Sequence, residues 1–258
     1  MARRAGALAT AVAILGFASL ASAAVIQEGN LRITITSQIQ PYKLPRDKPS
    51  PIAVFVAGHL SAPHGGIPAQ LQRMTVQVNK HGLLQSKGLA TCPIEKLQPA
   101  STERALANCG DAVIGSGQFW AHIVLPDQGA YPSRGRLLIF NGKRAGKPVL
   151  LTHIFTSNPF FSSFVLVFAI KKIKGTYGTE LSASLPEALG SWGYVDRIKL
   201  TLKRKYTYKN QQLSYFNSAC PAPKGVKRVV FPLARASFDF AEDLSLSAKV
   251  EKSCAVKG

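Results

Sequence analysis

The chain has 258 residues with 32 Lys+Arg against 13 Asp+Glu, a formal net charge of +19. Hydrophobic residues make up 46% and charged residues only 17%, which excludes a disordered basic tail, since such tails are poor in apolar side chains. A chain of this size and apolar content can bury roughly 70 to 75% of its unfolded surface in a core.

The first segment is a targeting signal by pattern. Met1-Ala2-Arg3-Arg4 is a positive leader, Ala5 to Leu20 is uncharged and Ala-rich, and Ala21-Ser22-Ala23 offers small residues to a signal peptidase. Cleavage after Ala23 is the expectation, giving a secretory signal over 1–23 and a mature chain over 24–258. Taking Arg3 and Arg4 from the +19 leaves +17, so the basicity belongs to the folded part. An uncleaved anchor is the alternative. The other long apolar run, Phe160 to Ile170, is too short to span a bilayer as a helix, so no transmembrane span is expected after cleavage.

Period-two alternation dominates the mature chain. Leu31, Ile33, Ile35 and Ile39 alternate with Arg32, Thr34, Thr36 and Gln38, and Met74, Val76 and Val78 with Thr75, Gln77 and Asn79. Both read as half-buried strands. Further strands are expected near 51–60, 112–125, 135–141, 148–157, 162–173, 177–184, 195–208, 212–220, 228–240 and 244–254. Phe164 to Ile170 is apolar on both parities, as in a strand covered on both faces. Around Pro232 the apolar parity switches, from Val229, Phe231 and Leu233 to Ala236, Phe238 and Phe240, which one extra residue in a bulge explains. Asn141-Gly142 is a hairpin signal, with Gly146 suggesting a longer loop. Helix is scarce: Ser101 can cap a short one through Asn108, and Pro186 to Leu189 can add a turn. The expected fold is all-β, an antiparallel β-sandwich-like domain with one or two short helices. It is a single domain over 24–258, or two closely packed β-halves meeting near 130–135, where Gly129, Pro132 and Gly135 cluster.

In an exported chain Cys92, Cys109, Cys220 and Cys254 read as two disulfides. Sequential pairing is favoured because each pair brackets a local unit, and the closures contribute about 3 and about 4 kcal/mol in the loop-entropy model. No close Cys spacing of the zinc type occurs.

Catalytic motifs are missing: there is no G-x-S-x-G elbow, no H-E-x-x-H and no phosphate-cradling loop. His59, His64 and His81 read as loop histidines, and His122 and His153 as core-edge histidines. Asp239, Glu242 and Asp243 form the one acidic cluster, a turn by composition. It is also the basis of an alternative reading as a secreted hydrolase acting on glycans. No metal and no cofactor are expected.

The charge is more telling. With Arg197 to Lys209 as one strand, Ile198, Leu200 and Leu202 face the core, while Arg197, Lys199, Lys203, Lys205 and Lys209 take the opposite face. Same-face residues repeat every ~6.6 to 6.8 Å, a spacing that suits a run of anionic groups on a polymer. Arg204 breaks the inward parity, so the strand must end, bulge or meet solvent there. Trp192 and Tyr194, in the glycine-bounded Gly190-Ser191-Trp192-Gly193-Tyr194, are a candidate aromatic platform.

Three segments, Gly88-Leu89-Ala90-Thr91-Cys92-Pro93, Cys109 with Val113-Ile114-Gly115-Ser116-Gly117, and Phe231-Pro232-Leu233-Ala234-Arg235-Ala236, resemble a group of uncharacterised secreted proteins from high-GC actinobacteria. The resemblance implies export and a β-rich domain, and it carries no activity, ligand or functional residue. The expectation is a secreted, extracellular or envelope-associated protein, non-catalytic. Its expected partners are an anionic cell-wall polymer, an acidic polysaccharide or an anionic lipid surface, reached through the basic strand face, and not intracellular nucleic acid. A self-associating structural envelope protein is a further alternative.

Overall fold

A computed structural model describes residues 22–124, 127, 129–158, 161–185 and 193–257. The signal segment through Ala21, the turn at Pro186 to Leu189 and Trp192 lie outside the described residues.

Thirteen strands form one antiparallel-rich sheet in the order β1(Ser22–Glu28), β2(Leu31–Gln40), β5(Ala53–Ser61), β13(Gly193–Leu202), β8(Val113–Ile123), β9(Tyr131–Arg144), β10(Lys147–Thr156), β11(Ser162–Lys172), β12(Tyr177–Ser184), β6(Leu71–Asn79), β17(Arg228–Phe240), β18(Ser245–Val256) and β3(Lys43–Leu44). The last pair, β18 with β3, is parallel. Two small sheets complete the set: the hairpin β14(Lys205–Tyr208) with β15(Gln211–Ser214), and β16(Phe216–Ser218) between β4(Ser50–Pro51) and β7(Gly82–Leu84). The two layers expected of a sandwich come from the curl of the large sheet. Leu31, Ile33 and Ile35 near one edge pack with Ala236, Phe240, Leu246 and Val250 near the other. Right-handed strand twist accumulated over many strands produces such closure.

Alternation becomes structure directly. In β2 the odd positions are buried and the even ones are not, and β18 repeats the pattern from Leu246 to Cys254. The parity switch of β17 is a register shift between Pro232 and Ala234. β11 is covered twice: Leu166 and Phe168 join the interior, while Val165 and Val167 pack under an outer layer. That layer is α1(Thr102–Cys109), capped by Ser101, whose Oγ accepts from the Arg104 amide at 3.2 Å. Leu97, Ala105 and Ala112 of this layer bury Leu138, Phe140 and Leu151.

The hairpin expected at Asn141-Gly142 is displaced. Both residues are inside β9, and the turn falls at Ala145-Gly146, with φ of 48° and 75°, as a two-residue primed turn requires. Asn141 has another task, since its Nδ2 donates to Ala90 O at 2.8 Å and its carbonyl accepts from the Cys92 amide at 2.9 Å. The strand expected over 195–208 is also interrupted. β13 stops at Leu202, and Arg204 turns to donate to Asp111 O at 2.9 Å. Residues 131–135, at the expected boundary between two halves, are the start of β9 and are paired along β8. The disulfides are Cys92–Cys109 and Cys220–Cys254, with Cα–Cα distances of 5.6 and 5.8 Å, the sequential pairing.

His153 is fully buried beneath α1, with Nε2 3.0 Å from Ala100 O and 3.3 Å from Ser163 Oγ. Burial holds its pKa below 6.5, the Ala100 contact opposing only in part. An unfolded chain therefore binds a proton that the folded one resists, and stability falls as pH drops below about 6.5. Half-exposed His81, lowered chiefly by burial and then by Lys80, adds in the same direction. Urea titrations from pH 7.5 to 5 should show this loss, and His153→Gln should remove most of it. An unchanged pH slope in that variant would show that the proton is taken up elsewhere.

Candidate polyanion-binding face

The curled sheet has one inner and one outer surface, and α1 covers the outer surface only over the upper part of β9, β10 and β11. Below it, adjacent strands bring outward side chains into rows. Arg134 of β9 is opposite Trp120 of β8, Trp120 opposite Arg197 of β13, and Arg197 opposite His59 of β5. The next row runs Arg136, Gln118, Lys199 and Ala57. With strands 4.7–4.9 Å apart and rows ~6.8 Å apart, the cations form a lattice around one indole. The Arg197 guanidinium carbon is 5.7 Å and the Lys199 Nζ 5.8 Å from the Trp120 ring centroid, contacts worth about 0.5–1 kcal/mol each at exposed sites. Arg32, exposed on β2 opposite Ser61, lies at the border.

Two glycines on the inner side let the strands beneath this surface pack closely. A Cβ on Gly117 would sit 2.0 Å from Lys199 O, and one on Gly135 2.0 Å from Phe155 O and 2.6 Å from Phe119 Cε1. Glycine lets Phe119 lie over β9 on the inner side while the arginines stay outward.

In the row next to that of Trp120 stands a second aromatic pair. Tyr194 stacks on His122 with centroids 5.0 Å apart and an interplanar angle of 23°. β13 bulges between Val195 and Arg197, which brings Asp196 Oδ2 to 3.9 Å from His122 Nδ1. Burial first, and then the Asp196 charge, raises the Tyr194 pKa, so its hydroxyl stays protonated and available to donate. Asp196 is the acid of this corner. Beside the Arg136 row, on the opposite side of Trp120, Glu103 of α1 approaches Arg136. Its carboxyl is held low mainly by its own backbone amide and the Ser101 hydroxyl, with Arg136 the smallest contribution.

The opposite outer surface is built differently. There Lys171, Glu180, Gln77, Arg235 and Lys249 stand in one row, and Arg73 faces Asp239 in another. Gln77 links the charges, accepting from Arg235 Nη2 at 2.6 Å and donating to Glu180 Oε2 at 2.8 Å. Between the two rows runs a row of Ser182, Thr75, Ser237 and Ser247. That is an ordinary solvated face. The rows around Trp120 contain no carboxylate among their paired positions.

The basic residues expected on one strand face are thus divided. Arg197 and Lys199 lie in the lattice. Lys203 and Lys205 flank Arg204 beyond the end of β13 and line a groove. Lys209 sits at the β14–β15 turn with φ of 48°, its Nζ 5.8 Å from the Tyr208 ring centroid. All five are exposed. Trp120, His122, Arg134, Arg136 and His59 complete the surface. His59, expected in a loop, is inside β5 and exposed, and His122, expected at the core edge, is partly exposed beside Tyr194; the adjacency of all five depends on strand order.

The acidic cluster is at the β17–β18 turn. Glu242 and Asp243 are exposed with φ of 62° and 56°, and Asp239 accepts from Ser245 Oγ. This is the turn chemistry that Asp and Glu commonly supply. Among the described residues no three His, Cys, Asp or Glu side chains gather as metal ligands. No helix among them is long and apolar enough to cross a membrane.

No family model, no curated protein and no solved structure matches this sequence. None of these comparisons supports the resemblance to secreted actinobacterial proteins. The two disulfides fit an oxidising environment.

Proposed function

We propose that this chain is an extracytoplasmic, non-catalytic binding module that holds an anionic polymer against the outer face of β9, β8, β13 and β5. The single observation that carries this reading is Trp120 set between Arg197, Lys199 and Arg134, on rows without a paired carboxylate, while the opposite face of the same sheet interleaves its cations with Glu180 and Asp239. Cations at ~6.8 Å intervals along β13 match repeating anionic groups, and the indole offers a flat surface for a sugar ring or base between them. Low-dielectric strands beneath the face strengthen the attraction relative to free lysine in water. Cell-wall phosphate polymers and acidic polysaccharides both present such repeats.

The test is binding of the chain from Ala24 onward to inorganic polyphosphate and to heparin, at several salt concentrations. Affinity is expected to fall linearly in log–log form, with a slope near −0.7 per neutralised phosphate. In a Trp192→Phe background, leaving Trp120 as the sole indole, either polymer should shift the fluorescence and shield it from acrylamide. Salt-independent binding, or a Trp120 equally quenched with and without polymer, would overturn the reading.

A further inference from the structure

A second cationic feature lies beyond the end of β13. The groove there has a volume of about 640 Å³ and is lined by Lys43, Lys203, Lys205 and Lys257, with Gln40, Ser50, Ser214 and the rigid walls Pro41, Pro45, Pro51 and Ile52. Among the described residues that line it there is no carboxylate. Its lysines come from distant segments: β3, the link after β13, β14 and the residue after β18.

The segments carrying these lysines are tied down by the protein itself. The Lys203 amide donates to Ile114 O at 3.0 Å, Lys257 N to Leu44 O at 2.8 Å and Cys220 N to Pro45 O at 2.8 Å. Lys43 is paired with Ala255, next to the Cys220–Cys254 disulfide. Ser214 Oγ donates to Phe216 O at 2.9 Å, so this hydroxyl is oriented away from the groove's solvent. Four exposed ammonium groups around one groove create a positive potential that attracts a counter-anion. The volume suits a small molecule or a polymer end rather than a single chloride.

We propose that this groove is a binding site, separate from the Trp120 face, for a compact phosphoryl anion of two or more negative charges. Such an anion meets several ammonium groups at once, with Gln40 and Ser50 able to donate from the rim. A singly charged phosphodiester meets the same groups with at most half the charge. The source can be a free pyrophosphate-type compound or the phosphomonoester end of a polymer held on the neighbouring face.

Calorimetric titration of the chain from Ala24 onward with inorganic pyrophosphate, at constant ionic strength, is the test. Saturable binding is expected, tighter than for dimethyl phosphate. Lys203→Gln/Lys205→Gln should weaken it at least about tenfold, while Arg197→Gln/Lys199→Gln changes it less than about twofold. Lys43→Gln/Lys257→Gln, from the opposite side of the groove, gives the same loss and guards against a folding defect in the first variant. Polyphosphate that displaces pyrophosphate identifies polymer ends as the ligand, and polyphosphate that does not identifies a free compound. Absence of saturable pyrophosphate binding, or equal losses in the groove and Arg197/Lys199 variants, would overturn the site. Polymer binding to the Trp120 face is measured independently, so either proposal can fail alone.

Discussion

Replacing Cys220 and Cys254 by serine should lower the free energy of unfolding by about 4 kcal/mol. The bridge closes a separation of 34 residues and joins the segment after β16 to the end of β18. Both cysteines are essentially inaccessible and belong to the main core with Ile39, Leu44, Tyr215 and Phe231. The chain-entropy term is therefore joined by two hydroxyls placed where no donor or acceptor was needed. The parallel β18–β3 contact, only Ala255 with Lys43 and Val256 with Leu44, should fray, so the variant should also lose pyrophosphate affinity. Cys92→Ser/Cys109→Ser breaks a closure of 17 residues. It should cost about 3 kcal/mol and loosen α1 without changing the groove. Urea unfolding under non-reducing conditions measures both. A Cys220/Cys254 loss below about 1 kcal/mol would show that hydrogen bonding alone, such as Cys220 N to Pro45 O, holds this end of the sheet.

Local patterns carried a large part of the fold. Strands such as 162–172 and 177–184, the Ser101 cap and the Pro232 bulge each depend on side chains within a few residues, where period, capping and parity act. The disulfide pairing was legible for the same reason, as each bridge closes one local unit. β1 and the two-residue strands were not legible: Ser22–Glu28 overlaps the targeting signal, and β3 and β4 exist only through distant partners. The Asn141-Gly142 turn does not form because Asn141 is claimed by the chain near Ala90, a contact 51 residues away. The site divides along the same line. That Arg197 and Lys199 point outward is a property of one strand, but that Arg134, Trp120 and His59 stand beside them is a property of sheet order, which no alternation encodes. The break at Arg204 was foreseeable as an interrupted parity. Its consequence, the transfer of Lys203 and Lys205 into a groove with Lys43 and Lys257, needed the ends of β2, β5 and β18 in place.

Reversing charge on the face should have the larger functional effect. Arg134→Glu/Arg197→Glu places carboxylates on both sides of Trp120, one from β9 and one from β13. Removing each cation should flatten the salt dependence of polyphosphate binding by about 0.7 to 1 in slope. The new carboxylates add repulsion that is strongest at low ionic strength, where the Debye length exceeds the spacing of the rows. Near 50 mM salt the combined loss should reach about a hundredfold, shrinking as salt rises toward the regime where the wild type itself dissociates. Both side chains are exposed and the Arg197–Trp120 contact is lost, so stability should change by no more than about 1 kcal/mol, too little to charge a loss of binding to unfolding. Reversal on the opposite face supplies the control. Lys249→Glu removes a cation from the row that already holds Glu180, and it changes net charge in the same direction. If binding followed net charge alone, this variant would weaken it by half the logarithm seen for the double variant. If the Trp120 lattice is the contact, Lys249→Glu should leave the affinity within about twofold, because beyond one Debye length its charge is screened from the polymer.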